Sequence, residues 1–287
     1  MAWKAGCAAA ELLVGDGNPS GKTVDTFAKS LDDYPSTYNF HESRDYVDYT
    51  DDIYVGYRYF ETIPGAAEKV VYPFGYGLSY TTFDVETVSA GVVNSNCTSE
   101  ANKLYAKVRV TNTGKFSGKE VVQVYIAKPQ GKLGKPAKEL VAFEKTRELQ
   151  PGESQLMILT WEINDMASYD DLGKVKKSAY VLEAGSYDIY VGTSVRDVTK
   201  ADYSYILNHD VITEQLSAKL VPTSLPKRML ADGSYEALPQ SEPVDTDYSA
   251  IGNIDPSLTE GVAPCQRAIP YFRFADGMAK NGSHDIM

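Results

Sequence analysis

The side chains best suited to acid–base chemistry in this sequence lie in one acidic run. Glu42, Asp45, Asp48, Asp51 and Asp52 are close together along the chain. Two carboxyl groups can divide the roles of acid and base when an apolar pocket raises the pKa of one of them. The sequence indicates no such pocket beside the run, so a solvated loop is the favoured interpretation. No catalytic residue is assigned.

A second candidate for chemistry is a glycine-rich segment that ends in Gly21-Lys22-Thr23. A phosphate-binding loop needs its first glycine where this sequence has Asp16, whose negative charge would repel a phosphate. Pro19 also lacks one of the backbone amides that would cradle the ligand. A turn is therefore predicted here, and not a nucleotide site.

The residues that most often bind metals are widely separated along the chain: His41, His209, His284, Cys7, Cys97 and Cys265. The cysteines form no Cys-x-x-Cys pair, and their odd number does not suit a disulfide framework. We therefore predict neither a metal site nor a cofactor.

Composition and charge narrow the class of protein. The chain has 287 residues, 43% of them hydrophobic, which is enough for two domains with buried cores. The formal net charge of −11 would repel nucleic acid and anionic lipid, and no basic patch opposes it. No apolar run is long enough to span a bilayer, and the start lacks a secretory signal. These features predict a cytoplasmic protein without nucleic-acid or membrane partners.

The most informative element of the sequence is the run Tyr72–Phe83. Pro73, Gly75 and Gly77 indicate an ordered turn, because proline fixes one dihedral angle and glycine permits positive φ. From Leu78 onward the residues alternate in the manner of a half-buried strand. The run therefore predicts a turn that leads directly into a β-strand.

This run resembles the seam in glycoside hydrolase family 3 at which an α/β sandwich domain passes into a fibronectin type III-like domain. The resemblance covers roughly the first 235 residues. It extends to five further stretches: Gly15–Lys22, Tyr54–Phe60, Val108–Gly114, Ser117–Tyr125 and Lys135–Phe143.

The fold class predicted from these elements is α+β, in three parts. Residues 1–83 are expected to be the C-terminal remnant of the α/β sandwich domain, with a helix at Ala8–Leu13. Residues 84–210 are expected to be the antiparallel fibronectin type III-like β-sandwich. Residues 211–287 hold seven of the fourteen prolines, which favours an extended linker or tail.

Within the predicted β-sandwich, short runs are separated by glycine and proline turns: Phe83–Val93, Lys103–Thr111, Glu120–Ala127, Glu139–Lys145, Ser154–Trp161, Ser178–Glu183, Ser186–Gly192 and Asp202–Leu207. Leu104, Ala106, Val108 and Val110 alternate with polar residues, so we expect them to face the core. Trp161 is also expected in that core.

The resemblance implies the chemistry of a retaining β-glycosidase, which uses two carboxyl groups about 5 Å apart. In the family the nucleophile is an aspartate on a (β/α)8 barrel, which this sequence lacks. The general acid is a glutamate on a segment that precedes a Trp-x-x-Gly motif, and Trp3-Lys-Ala-Gly6 echoes that motif at the start of this chain. Both catalytic carboxylates are therefore expected to lie outside this sequence, and we expect no turnover by the chain alone.

Tyrosines are concentrated between Tyr34 and Tyr80, and Tyr57, Arg58 and Tyr59 match a family motif on the active-site side of the sandwich domain. The resemblance implies that these three residues lie near a bound sugar. Packing at the domain interface is the favoured alternative.

Two functions remain open. The leading hypothesis is a scaffold part of a β-glucosidase, in which a β-glucoside binds only to the intact enzyme. A catalytic barrel supplied in trans would complete the site, and self-association would cover the apolar surface of a partial sheet. The segment Thr213–Tyr235 resembles the segment that follows the type III-like domain in family members of reversed domain order, in which the barrel comes last. The alternative is a non-catalytic module that binds carbohydrate or protein.

Overall fold

The computed structural model describes residues 2–40, 47–93, 102–217 and 225–239. Contacts divide the chain into two compact units. Of the described residues, the first comprises 2–30, 53–93, 102–217 and 230–234, and the second comprises 31–40, 47–52, 225–229 and 235–239. The β-sandwich and the candidate site lie in the first unit.

The chain begins with α1 (Ala2–Val14), an alanine-rich helix that extends the predicted Ala8–Leu13 segment in both directions. It ends in a glycine turn, in which Gly15 has a φ of 84° and the amide of Asp16 donates to the carbonyl of Glu11 at 2.9 Å. The predicted turn is confirmed. No helix among the described residues is both long and apolar enough to cross a membrane.

The rest of the N-terminal part has little regular structure. β1 (Phe27–Ala28) pairs with β2 (Val70–Tyr72) in an antiparallel ribbon. Between them, α2 (Tyr57–Phe60) is a single helical turn and a 3-10 helix spans Ala66–Lys69. Backbone bonds of Thr23 to Tyr76 (2.7 Å) and Gly75 (2.8 Å) join the glycine-rich segment to the turn after β2.

The strand predicted to begin at Leu78 begins at Phe83 instead. The preceding residues bond to side chains: the Tyr80 amide donates to Asn18 Oδ1 at 2.9 Å, and the Thr81 hydroxyl donates to Asn112 Oδ1 at 2.7 Å. The predicted start was wrong because alternation reports which face of an extended chain is buried and not whether a neighbouring strand pairs with it.

Ten strands follow: β3 (Phe83–Val92), β4 (Lys103–Asn112), β5 (Val121–Ala127), β6 (Glu139–Lys145), β7 (Ser154–Glu162), β8 (Ser168–Asp170), β9 (Ala179–Leu182), β10 (Gly185–Gly192), β11 (Val198–Leu207) and β12 (Val211–Gln215). They form antiparallel sheets of order β3-β4-β7, β11-β10-β5-β6 and β12-β9-β8. A 3-10 helix at Ile163–Met166 follows β7. The predicted α+β class with an antiparallel β-sandwich is confirmed.

The core lies between the first two of these sheets. Leu104, Ala106, Val108 and Val110 on β4 are fully buried, as their alternation predicted. Trp161 on β7 packs in the same cluster, so its expected position is also confirmed. Burial of a large apolar side chain contributes about 1.5–3 kcal/mol, so this cluster is the main source of stability in the unit.

β5 is buried on both of its faces. Val122, Val124 and Ile126 point into the core, whereas Gln123 and Tyr125 are buried on the opposite face. A sandwich strand normally leaves one face to solvent. The second face of β5 is therefore covered by another part of the first unit.

The sheet β12-β9-β8 extends past the expected domain boundary at residue 210, since Val211 pairs with Leu182. The boundaries at residues 83 and 210 remain predictions. In the loop after β8, the buried carboxylate of Asp170 accepts hydrogen bonds from the amides of residues 173–176 at 2.7 to 3.0 Å. Burial would raise the pKa of Asp170, but these four donors hold it below its usual value.

The second unit contains 3-10 helices at Leu31–Asp33 and Pro35–Tyr38, and a hairpin of β13 (Lys227–Met229) and β14 (Tyr235–Ala237). Part of the acidic run lies here. Asp51 is only 9% exposed and burial raises its pKa, so the solvated-loop interpretation is wrong for this residue. Glu42 and Asp45 lie outside the described residues.

Candidate functional site

The predicted site residues Tyr57, Arg58 and Tyr59 lie together on α2, directly after Gly56. Gly56 has a φ of 56°, a conformation that favours glycine and turns the chain into the helix. All three side chains are half-buried. They lie within the contact between the N-terminal part and the sandwich, which we call the junction and define by Asn18, Tyr57, Phe74, Asn112 and Tyr125.

Tyr57 is packed between aromatic rings. Its ring lies 4.7 Å from that of Phe74, centroid to centroid, and meets Tyr125 edge to face at 6.1 Å. The Tyr57 hydroxyl accepts a hydrogen bond from the amide of Leu140 at 3.0 Å. The side chain thus joins α2 to β5 and β6 of the sandwich.

Arg58 extends the same contact to β6, whereas Tyr59 packs within α2. Arg58 Nε lies 3.5 Å from Glu139 Oε1, and the Lys128 ammonium group also pairs with Glu139. Burial lowers the pKa of Lys128, and Glu139 opposes that shift. The ring of Tyr59 stacks edge to face on Phe60 at 5.1 Å.

The turn after β2 packs against a polar cluster on the covered face of β5. Gln123 Nε2 donates to the carbonyl of Thr193 at 2.8 Å, and the Tyr125 hydroxyl donates to Gln123 Oε1 at 2.5 Å. Burial raises the pKa of Tyr125. Gly75 lies directly over this amide: a Cβ at that position would come within 2.5 Å of Gln123 Oε1. Gly75 is therefore required by its φ of 80° and by close packing.

Asn112 is the most fully bonded side chain of the junction, and it is completely buried. Its Oδ1 accepts from the Thr81 hydroxyl at 2.7 Å and from the Gly114 amide at 3.0 Å. Its Nδ2 donates to the carbonyls of Phe116 and Leu149, both at 2.8 Å. One side-chain amide thus holds the segment before β3 against two loops of the sandwich.

Asn18 holds the same segment before β3 from the side of the glycine-rich segment. Its Nδ2 donates to the carbonyl of Ser117 at 2.8 Å, and its Oδ1 accepts from the Ser79 hydroxyl and the Tyr80 amide, both at 2.9 Å. Both asparagines lie in motifs that marked the family resemblance, but their partners are distant in sequence. An asparagine among glycines and prolines predicts a turn, but this pattern does not predict which distant residues the side chain contacts.

The glutamates around the junction are held in ion pairs with cations: Glu120 with Lys22 at 2.8 Å, Glu61 with Arg196 at 2.7 Å, Glu139 with Lys128, and Glu183 with Lys135. The last pair is almost wholly buried, with Lys135 1% and Glu183 3% exposed. Breaking a buried pair by removing one partner costs about 3–5 kcal/mol, so such pairs hold loops in place.

The described residues contain no cluster of three or more side chains suited to hold a metal ion. Of the scattered candidates, Cys7 and His209 lie in the described part of the chain, and Cys7 is an exposed free thiol. The chemistry that the junction shows is therefore packing, hydrogen bonding and charge pairing.

Comparison with known proteins agrees with this architecture. Residues 3–80 match the Glycosyl hydrolase family 3 C-terminal domain, and residues 120–195 match the Fibronectin type III-like domain. The chain therefore contains sequence of the glycosyl hydrolase family 3 C-terminal domain, followed by a fibronectin type III-like domain. The resemblance predicted from the sequence is confirmed.

Similar proteins are β-glucosidases. The chain is 62% identical to "Beta-glucosidase A" of Butyrivibrio fibrisolvens, over 88% of this chain and 32% of that protein. It is 43% identical to a β-glucosidase of Ruminococcus albus, over 86% of this chain and 25% of that protein. A crystal structure of a β-glucosidase from Paenibacillus barengoltzii superposes with a TM-score of 0.71 at 45% identity, over 85% of this chain and 27% of that one. The chain thus spans a third or less of these relatives.

Proposed function

We propose that this chain is a scaffold part of a β-glucosidase-type glycoside hydrolase, and that it does not hydrolyse glycosides by itself. The observation that carries the proposal is that four glutamates around the junction are each paired with a cation of this chain: Glu61, Glu120, Glu139 and Glu183. A retaining glycosidase needs two carboxyl groups that face a sugar about 5 Å apart. The partial coverage of three β-glucosidases supports the same conclusion.

In this proposal a β-glucoside binds only to the assembled enzyme. The two catalytic carboxylates then come from sequence that this chain does not contain, in the same polypeptide or in a separate one. The junction contributes rigidity, because its asparagine bonds and ion pairs fix the N-terminal part against the sandwich. A cytoplasmic location remains a prediction.

The role of Tyr57 and Arg58 follows from their contacts. We propose that they brace the junction, since Tyr57 stacks on Phe74 and Arg58 lies beside Glu139. A direct sugar contact by Tyr57, Arg58 and Tyr59 remains a prediction. Soaking the assembled enzyme with a β-glucoside analogue and measuring the distance of the sugar from Tyr59 would test it.

Complementation tests the scaffold role. The sequence of the Butyrivibrio β-glucosidase A that lies outside the matched region is expressed without that region and mixed with this chain. We expect hydrolysis of an aryl β-glucoside only when this chain is also present. Activity of the added sequence that is unchanged by this chain would contradict the proposal, as would an inactive mixture in which the added sequence is shown to associate with this chain.

A second candidate, a carbohydrate-binding module, is favoured by one feature. Tyr169 on β8 and Tyr180 on β9 are 41% and 38% exposed, and their rings lie 5.3 Å apart. Exposed aromatic faces can stack on sugars. Calorimetric titration with β-glucan oligosaccharides tests this function: heat that disappears in Y169A would support it, and a flat titration supports the scaffold role.

A further inference from the structure

A cavity of about 230 Å³ lies in the first unit, between the glycine-rich segment and the sandwich. Its walls are residues 19–22 of that segment, residues 77–79 and 81–83 up to the start of β3, and Lys119, Glu120, Thr193 and Asp197 of the sandwich. At about 30 Å³ for each water molecule, the cavity holds about eight waters. Sites for drug-sized ligands have about 300–1,000 Å³, so this cavity suits a smaller molecule.

The charged side chains of the cavity balance one another. Lys22 pairs with Glu120 at 2.8 Å, and these side chains are only 14% and 11% exposed. Lys119 and Asp197 are exposed to solvent. Because two cations and two anions leave no net charge, the cavity selects neither anions nor cations.

Part of the hydrogen-bonding capacity of the walls is unused. Glu120 Oε1 accepts from the amide of Val121 at 2.7 Å, whereas Glu120 Oε2 receives no hydrogen bond from the described residues. Asp197 Oδ2 accepts from the Thr193 hydroxyl at 2.5 Å, and within the described part of the chain nothing donates to Oδ1. No described carboxylate pairs with Lys119. The walls therefore leave two acceptor oxygens and one ammonium donor for a ligand.

We propose that this cavity binds a neutral polyhydroxyl molecule of the size of one monosaccharide. Each hydroxyl group both donates and accepts, so one such molecule can donate to Glu120 and Asp197 and accept from Lys119. Bonds to ionised groups are about twice as strong as bonds between neutral groups. A phosphate would meet two carboxylates, and an apolar molecule would leave them without partners.

The site is separate from the tyrosine pair on β8 and β9, which suits a longer glycan. A cavity of this volume has no room for a second sugar unit, so the two sites differ in the length of the molecule that they accept. The inference does not depend on the scaffold role, because every wall of the cavity belongs to this chain. A bound sugar contacts both the glycine-rich segment and the sandwich, so it also stabilises the contact between them.

The test is a titration of the chain alone with D-glucose, followed in proton–nitrogen NMR spectra. We expect the amide signals of Gly77 and Thr193 to shift, with a Kd on the order of 1 mM, as is usual for a ligand of this size. Inorganic phosphate is the charged comparison and should leave these signals unchanged. Thermal unfolding is not a suitable readout, because polyols stabilise proteins without binding to a site.

Two variants remove the proposed contacts at exposed positions: D197A and K119A. Their matched controls are D202A and K115A, since Asp202 and Lys115 are exposed and lie outside the cavity. We expect D197A to weaken glucose binding at least about tenfold, K119A to weaken it about threefold, and both controls to leave it unchanged. Fluorescence of Trp161 in urea checks that each variant is folded.

Four results would overturn the proposal. The first is the absence of shifts at about 100 mM glucose, a hundred times the expected Kd. The second is unchanged affinity in both D197A and K119A. The third is loss of binding in Y169A, which would place the sugar on the tyrosine pair. The fourth is a larger response to phosphate than to glucose, which would show an anion site. None of these results bears on the complementation experiment, so the scaffold role stands or falls separately.

Discussion

Replacing Asn112 with aspartate tests whether the junction depends on one buried amide. The substitution keeps the shape and keeps an oxygen for the Thr81 hydroxyl and the Gly114 amide. It removes the two donors that serve the carbonyls of Phe116 and Leu149. An unsatisfied buried group costs about 1–3 kcal/mol, so two such groups cost about 4 kcal/mol before any repulsion between the carboxylate and the carbonyls.

This loss is a large share of the 5–15 kcal/mol that stabilises a typical domain. It is measured by urea unfolding, followed through the fluorescence of Trp161 in a W3F background. N164D is the control, because Asn164 is exposed and its side-chain oxygen accepts one bond from Asn102 at 3.2 Å. We expect N164D to change stability by less than about 0.5 kcal/mol.

The defect of N112D should also depend on pH. Burial raises the pKa of the new carboxyl in the folded state above its unfolded value of about 3.9. The folded state then binds more protons between the two pKa values, so stability falls as the pH rises through that window. The protonated acid can donate to one of the two carbonyls. A loss below about 1 kcal/mol at neutral pH, or a loss that does not shrink towards pH 4, would refute the reasoning.

Three further substitutions probe the same scaffold. G75A should lower stability by more than about 1 kcal/mol in urea unfolding, because Gly75 has a positive φ and the added methyl group would clash with the buried side-chain amide of Gln123. The control G6A, at an open position on α1, should raise stability or leave it unchanged. D170N should destabilise the chain, because the new amide nitrogen cannot accept hydrogen bonds from two of the four backbone amides. The stability that wild-type Asp170 contributes is present above about pH 4 and is lost as the pH falls through its lowered pKa. An effect on stability no larger than that of D165N would contradict this account. Y57F should cost about 1–2 kcal/mol in thermal unfolding because it leaves a backbone amide without its acceptor, and unchanged stability would show that this bond is dispensable.

The β-sandwich could be predicted because its strands alternate and are bounded by glycine and proline. β4 shows this directly: its alternating residues gave its buried face, and its predicted bounds, Lys103–Thr111, fall one residue short of the observed strand. β8 and β12 escaped prediction. Each is short, and its pairing with β9 depends on residues distant in the chain.

The junction was predicted only in part. Tyr57, Arg58 and Tyr59 were singled out through a family motif, and the structure places them on one helical turn. The bonds of Asn18 and Asn112 could not be predicted, because each joins loops that are far apart in sequence. Burial of Asp51 was missed for a related reason, since a charged run carries no sign of what packs over it.

The most direct test of the scaffold account is the hydrolysis of a nitrophenyl β-glucoside by this chain alone. The assay is run from pH 5 to pH 7 beside a heat-killed sample, at a protein concentration where one turnover per hour is detectable. We predict release of nitrophenol no faster than in the heat-killed control at every pH. Release above that control, abolished when one of the junction glutamates is replaced by glutamine, would show that this chain carries a catalytic carboxylate and would contradict the account.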